Sequence, residues 1–373
     1  MKNHLSCPRG KSAAARPRAL LGIGILACAA LTACGGGSAG GGTVAQAAAP
    51  AGNATGPLAD YNLTGAVSLI HDPAVIRQGD TWYVYSTDAP VSQKGLIPVR
   101  CSKDKVAFTD CGYVFPTMPS WVASKVPGAT MIWAPDISYF GGAYHLYYVA
   151  STMGSNVSAI GVATNTTLDP ADPAYKWVDQ GPVLASQSNS NFNAIDPNIL
   201  VDSDSKVWLT FGSYWDGIFQ YQIDPTTGTI MAASARKQLA HRASTVMYDP
   251  VEGPSLVHVG SYYYLFVSWD LCCEANPANS NYKIVVGRGT SPNGPFFDRN
   301  GNDMLAGGGT ILLQGSGQWS GPGGQTAYVD PGDATHKAEN LIAFHALDLS
   351  RNGLDYLFVK SLDFTSGWPE IVP

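Results

Sequence analysis

The sequence predicts an all-β fold built as a radial or stacked array of hairpin units, on three observations. Four segments repeat one pattern, in which an acidic residue and a proline open a strand, a Gly or Asp turn follows, and an aromatic-rich strand closes the unit. They read HDPAVIRQGDTWYVYST from His71, APDISYFGGAYHLYYVAS from Ala134, IDPNILVDSDSKVWLTFGSYW from Ile195 and VEGPSLVHVGSYYYLFVSW from Val251. The copies recur at roughly 55 to 75 residues, and QTAYVDPGDATHKAENLIAFHALD from Gln325, without the opening acid, is a candidate fifth. Gly, Pro, Asn and Asp punctuate short runs rich in Val, Ile, Tyr, Phe and Trp, with no sustained helical periodicity. Hairpin blades of this kind build β-propellers.

The first 57 residues stand apart from the array. Lys2, Arg9, Lys11, Arg16 and Arg18 precede an apolar run from Ala19 to Ala33, the pattern of a secretory signal and too short for a comfortable membrane span. Leu31-Thr32-Ala33-Cys34, which closes the 1–34 signal region, resembles the lipobox of bacterial lipoproteins, in which the cysteine becomes the lipidated N-terminus after cleavage; the alternative is an ordinary Ala-x-Ala cleavage with Cys34 incidental. Residues 35–57 are mostly Gly and Ala without aromatic or charged side chains, a flexible tether. An exported protein held to a membrane by a lipid anchor is expected.

From residue 58 to 373 no second linker of such composition interrupts the chain, so one large β domain is expected, and a monomer. A net charge of -6 and a charged fraction of 13% argue against a nucleic-acid partner. Nine Trp and eighteen Tyr can serve sugar stacking or packing between blades, the second use accounting for most.

Cys7 and Cys28 leave with the signal. Cys101 and Cys111 flank a hairpin-like segment, and a disulfide across it or two free thiols are the alternatives in an oxidising compartment. Cys272 and Cys273 are adjacent, which permits a strained vicinal disulfide or a pair of thiols and lacks the spacing of a structural zinc site.

Asp72, Asp196 and Glu252 each lie eight residues before a turn residue, namely Asp80, Asp204 and Gly260. Equal offset predicts equal height on equivalent strands. In the second repeat Ala134 holds that position, and Asp136, two residues on, shares its face about 7 Å further along. Converging unpaired carboxylates repel, so one is expected to keep a proton while the others stay ionised, which supplies a general acid and a general base. Hydrolysis of a glycosidic bond needs such a pair. Asp-Pro is also a common capping dipeptide, and Asp224-Pro225, Asp249-Pro250 and Asp330-Pro331 have that character.

HDPAVI, WAPDISYFGGAYHLYYVASTMGSNVSAIGVATN, AIDPNILVDSDSKVWLTFGSYWDGI, VEGPSL and CCEANPANSNYKIVVGRGTSPNGPF resemble the endo-arabinanases of glycoside hydrolase family 43, from about Leu69 to the end of the chain. The resemblance implies a five-bladed β-propeller, an inverting mechanism, α-1,5-linked L-arabinan as substrate and no organic cofactor. It matches Asp72 to the general base, Glu252 to the general acid and Asp196 to the residue that tunes and holds that acid by like-charge repulsion. Inversion needs room for a water, so the Asp72 and Glu252 carboxyls should stand roughly 6.5 to 9.5 Å apart.

Trp133 would stack on a sugar or pack within a blade, and Asp136 would bond substrate hydroxyls or cap its strand. Asn156 and Ser158, and Ser213, Tyr214 and Trp215, follow strand ends where a propeller's loops reach the pocket, and are candidate sugar contacts. His345 matches a histidine placed near the propeller axis beside calcium or another ion, although calcium prefers oxygen ligands. Two departures stand out. Gly321-Pro322-Gly323-Gly324 replaces the frequent GPGH segment, which puts one subsite contact in doubt, and Glu252-Gly253-Pro254 replaces Glu-Ala-Pro. Exo-acting arabinanases, α-arabinofuranosidases and β-xylosidases share the propeller and its acids. Ile195 before Asp196 argues against the fructan-active propellers, which carry Arg-Asp-Pro. A non-catalytic arabinan-binding lectin is the alternative from another class, and its lack of need for three mutually repelling acids counts against it.

Overall fold

The structure, a computed structural model, describes residues 54–88, 94–242 and 249–372. The signal segment, Cys7, Cys28, Cys34 and residues 35–53 of the tether lie outside the described residues. The described chain forms five sheets, each a meander in which consecutive strands are neighbours. Blade one holds Ala74–Gln78, Thr81–Tyr85, Leu96–Ser102 and Ala107–Phe115, and blade two Ile132–Phe140, Ala143–Ala150, Ser158–Asn165 and Val178–Ser186. Blade three holds Asn198–Val201, Val207–Phe211, Ile218–Ile223 and Lys237–Ala240, and blade four Val251–Val259, Tyr262–Trp269, Lys283–Gly289 and Thr310–Gln314. Blade five holds Trp319–Asp330, Glu339–Asp348, Leu354–Asp363 and Glu370–Val372, so the fifth copy begins six residues before Gln325.

The first strands of the blades contact one another in the cyclic order one to five and back to one, which closes a five-bladed β-propeller around an axis they line. Local chemistry sets each hairpin. Gly141 and Gly142 have φ of 59° and 82°, the left-handed pair that lets a two-residue turn match the twist of its strands. Blades are covered on both faces by their neighbours, so their second strands are nearly continuous apolar runs, as in AYHLYYVA, and not alternating ones. Tyr85, Tyr147, Tyr148 and Tyr264 are fully buried, which assigns them to packing.

Because each blade is continuous in sequence, the ring must be tied where its ends meet. The segment before blade one does this. Thr64–Gly65 pairs in parallel with Ala107 and Phe108 of blade one, while the Leu69 N–H donates to the Asp355 carbonyl and the Leu357 N–H to the Val67 carbonyl, at 2.8 and 2.9 Å, on blade five. Arg77 of blade one is paired with Asp330 and, at 2.8 Å, with Asp333. Residues before 58 also meet the blades, since the Thr55 N–H donates to Ser316 Oγ at 2.9 Å. Cys101 and Cys111 form a disulfide between the third and fourth strands of blade one, with Cα atoms 5.9 Å apart.

The expected equal height of the three acids is corrected by the register. Every first strand is entered through a residue with positive φ: Asp72 (47°), Ala134 (35°), Asp196 (55°), Gly253 (57°) and Gly324 (56°). Two residues later comes a paired position in each blade, Ala74, Asp136, Asn198, Ser255 and Thr326. Gly253 is therefore the equivalent of Asp72 and Asp196, and Glu252 precedes it by one. The count from the turns failed because the reference residues differ: Asp80 is second in the turn Gly79-Asp80, Gly260 is first in Gly260-Ser261, and Asp204 sits in a five-residue turn between Val201 and Val207.

Candidate active site

The left-handed entry residues bring Asp72, Asp196 and Glu252 to the centre of the ring, where all three remain half-buried. A non-glycine residue in this conformation costs about 1–2 kcal/mol, and such strain persists only where the surroundings hold it. For Asp72 the hold comes from both neighbouring blades. The Thr87 hydroxyl donates to Asp72 Oδ2 at 2.7 Å and accepts from the Ala134 N–H of blade two at 2.7 Å. The Asp72 N–H donates to Nδ1 of His345 in blade five at 3.2 Å.

Gly324 explains the departure from GPGH. A Cβ there would lie 2.4 Å from Asp72 Oδ1 and 2.7 Å from His345 Cε1, at a φ of 56° that side chains rarely adopt. A histidine at this position would displace Asp72, so glycine is the residue that lets the carboxylate sit where it does.

Asp196 and Glu252 lie close enough for the charge of Glu252 to raise Asp196. Asp196 Oδ2 accepts the Gly253 N–H at 3.0 Å, and the Ser213 hydroxyl donates to Glu252 Oε2 at 2.7 Å, with a second hydrogen bond from Tyr282. Burial, then the charges of Glu252 and Asp72, push Asp196 well above the usual carboxylate range. Burial pushes Glu252 up to about 7, against the pull of the Ser213 and Tyr282 hydroxyls and with the help of Cys273 and Asp72. Repulsion by Asp196 was the expected cause of the raised Glu252; burial is the main one, the like charges that add to it are Cys273 and Asp72, and the Asp196–Glu252 repulsion raises Asp196. The pair holds a proton near neutral pH, and Asp72 Oδ2 accepts the Thr87 hydroxyl beside it.

Several expected sugar contacts are used by the protein itself. Asp136 is buried, and its oxygens accept from Asn198 Nδ2 at 3.1 Å and the Ile199 N–H at 2.8 Å, so it braces blade three; burial raises it to about 7. Buried Asn156 donates to the Ser190 and Phe192 carbonyls, and buried Ser158 bonds Ser151 at 2.8 Å. Ser213 serves Glu252. Trp133, Tyr214 and Trp215 stay half-buried and so keep surface for a ligand. Tyr214 and Trp215 have φ of 54° and 52°, a strained corner beside Glu252.

The residues that sequence reasoning missed surround His345, which is fully buried. His71 stacks on it with ring centroids 3.8 Å apart, and the His71 Nδ1–H donates to Asp355 Oδ1 at 3.2 Å. Cys272 and Cys273 are a pair of thiols with sulfurs 2.7 Å apart, and both face His71. His71 was legible in principle as the neighbour of Asp72; Thr87, Tyr282 and Asp355 carry no sequence signal.

His71, Cys272 and His345 offer the only clustered donor atoms for an ion among the described residues, all within 4.8 Å of one another. Two nitrogens and a sulfur suit soft metals and not calcium. The Asp72 N–H also fixes the His345 tautomer with its proton on Nε2, which leaves that nitrogen no lone pair for an ion. These residues do not fit calcium.

Comparison with known proteins adds the context. The sequence pattern of "Glycosyl hydrolases family 43" matches residues 67–369. The chain is 39% identical over 306 residues to an extracellular endo-α-(1→5)-L-arabinanase of Bacillus subtilis, covering 81% of this chain and 87% of that one. It is 36% identical over 312 residues to an extracellular exo-α-(1→5)-L-arabinofuranosidase of Cellvibrio japonicus, covering 81% and 86%. Among solved structures, a family 43 endo-arabinanase from Bacillus licheniformis superposes with a TM-score of 0.74 at 37% identity, over 83% of this chain and 100% of that one.

Proposed function

The chain belongs to glycosyl hydrolase family 43, and from that premise we propose that it is an arabinanase that hydrolyses internal α-1,5-L-arabinofuranosidic bonds by an inverting single displacement. The observation that carries this reading is the meeting of Asp72 with the proton-holding Asp196–Glu252 pair at the centre of the ring. Glu252 is raised to about 7 and so is protonated in part at neutral pH. It donates to the leaving glycosidic oxygen. Asp72, on the opposite face of the arabinofuranose, takes a proton from the water that attacks the anomeric carbon. Asp196 accepts the Gly253 N–H and so holds the peptide that follows Glu252 in place. Trp133, Tyr214 and Trp215 supply the apolar faces for the sugar rings.

Endo action is favoured because it is the activity named for similar proteins of Bacillus subtilis and of several Aspergillus species, although an exo-acting arabinofuranosidase is also similar. The test is incubation of the mature protein and its Glu252→Gln variant with debranched arabinan, following product sizes over time. Early mixed oligosaccharides from the wild type alone support endo cleavage, and arabinose or one fixed short product would replace it with exo action. Binding without new reducing ends would replace hydrolysis with the lectin reading.

The protein is read as exported, in keeping with relatives named extracellular, with Cys34 as the lipid-anchored N-terminus. A mature N-terminus other than lipidated Cys34, seen by mass spectrometry, would remove the anchor from this account.

A further inference from the structure

The two thiols that the proposed hydrolysis does not use lie in an arrangement that gives them chemistry of their own. Cys273 is exposed and Cys272 is buried. His71 Nε2 stands 3.7 Å from Cys272 Sγ and 3.9 Å from Cys273 Sγ, while its Nδ1–H is committed to Asp355 Oδ1 at 3.2 Å. Carboxylate, imidazole and thiol thus stand in line, the order in which a base oriented by a third group activates a sulfur nucleophile. His345 Nε2, which carries the ring proton, lies 3.9 Å from Cys272 Sγ and can donate to that sulfur.

We propose that Cys273 is a nucleophilic modification site that captures low-molecular-weight disulfides and passes the bond to Cys272, closing a vicinal disulfide beside the acid pair. The Cys273 thiolate attacks one sulfur of R–S–S–R. The S–S bond breaks, one RS⁻ leaves, and it takes the proton held on His71. The Cys272 thiol then gives up its proton and attacks the Cys273 sulfur, releasing the second RS⁻, which is protonated in turn. Two protein thiols are oxidised by two electrons and the disulfide is reduced to two thiols, so no further oxidant is required.

The thiolate that the first step needs has two neighbours placed to support it, His71 Nε2 3.9 Å from Cys273 Sγ and Cys272 Sγ at 2.7 Å. The product is reversible by its geometry. Adjacent Cα atoms across a trans peptide stand about 3.8 Å apart, below the usual disulfide range of about 4.4–6.8 Å, and such strained bonds are readily reduced. Closure also moves Cys272 Sγ away from the Nε2 edge of the stacked His71 and His345 rings, and Asp72 rests on both: its N–H on His345 and its Oδ1 3.7 Å from His71 Nε2. Loss of that support lowers hydrolytic activity.

The test treats the full, reduced protein with hydroxyethyl disulfide, then measures free thiols, intact mass and arabinan cleavage. The wild type should lose both thiols without retaining an RS group, lose most of its activity, and recover it with dithiothreitol. Cys272→Ser should trap a single RS adduct on Cys273, and Cys273→Ser should keep its activity through the treatment. If Cys272→Ser does not fold, the wild-type mass still reads the event, as loss of two hydrogens with no adduct. Persistence of both thiols, a stable wild-type adduct, or disulfide closure with full activity would each overturn the proposal. The activity readout rests on the arabinanase reading, whereas the thiol and mass readouts do not, so the two can fail separately.

Discussion

The Gly253 N–H donates to Asp196 Oδ2 at 3.0 Å, so the peptide that follows Glu252 is anchored to the acid of the preceding blade. Asp196 therefore acts on Glu252 in two separable ways, through this hydrogen bond and through its charge. Asp196→Asn keeps an oxygen acceptor and removes the charge; Asp196→Ala removes both. A like charge raises a carboxyl, so its removal lowers Glu252 and should move the alkaline limb of the kcat–pH profile down by about one unit in both variants. Asp196→Ala should in addition lower kcat well below the Asn variant. Equal kcat values in the two would show that the hydrogen bond positions nothing.

If Glu252 is the proton donor, Glu252→Gln should lower kcat on arabinan by about 10²- to 10⁴-fold with little change in KM. The loss should shrink on an aryl arabinofuranoside whose phenolate leaves without a proton. Equal losses on both substrates would assign Glu252 another role.

Glu252 lies at about 7, so the protonated form, and with it kcat, should decline as pH rises through that value. Ser213 donates to Glu252 Oε2 and stabilises the ionised form. Ser213→Ala should therefore move the alkaline limb upward, the opposite direction to the Asp196 variants, as a full pH profile of kcat would reveal.

Ring closure depends on Arg77, whose partner Asp330 is 3% exposed. Arg77→Ala leaves that carboxylate buried without its cation, still accepting the Gly332 N–H, and should cost about 3 kcal/mol in urea unfolding. A change within a few tenths of a kcal/mol would place the closure elsewhere, in the strand pairing at residues 64–69.

The blades were legible because their punctuation is local: proline after the entry residue, a tight turn, then an aromatic-rich strand buried on both faces. Asp72 and Asp196 shared a register that could be counted from sequence. Glu252 was found by an argument that was wrong in detail, since turns of different length hid the one-residue offset that Gly253 reveals. Asp136, Asn156 and Ser158 are buried and bonded within the protein, roles that the sequence could not separate from sugar contacts because a side chain near a pocket and one bracing the next blade look alike there. His71, Thr87 and Tyr282 escaped notice because their roles are set by contacts with residues 15 to 274 positions away. The thiol pair was visible, but its histidines come from blades that only folding brings together.

The central claim is a single displacement by Asp72 and Glu252, and the most direct measurement is proton NMR of the anomer first released from debranched arabinan, recorded before mutarotation. The account predicts that the new reducing end appears first as the β-anomer, inverted from the α-linkage. Initial release of the α-anomer would require a covalent intermediate and contradict it.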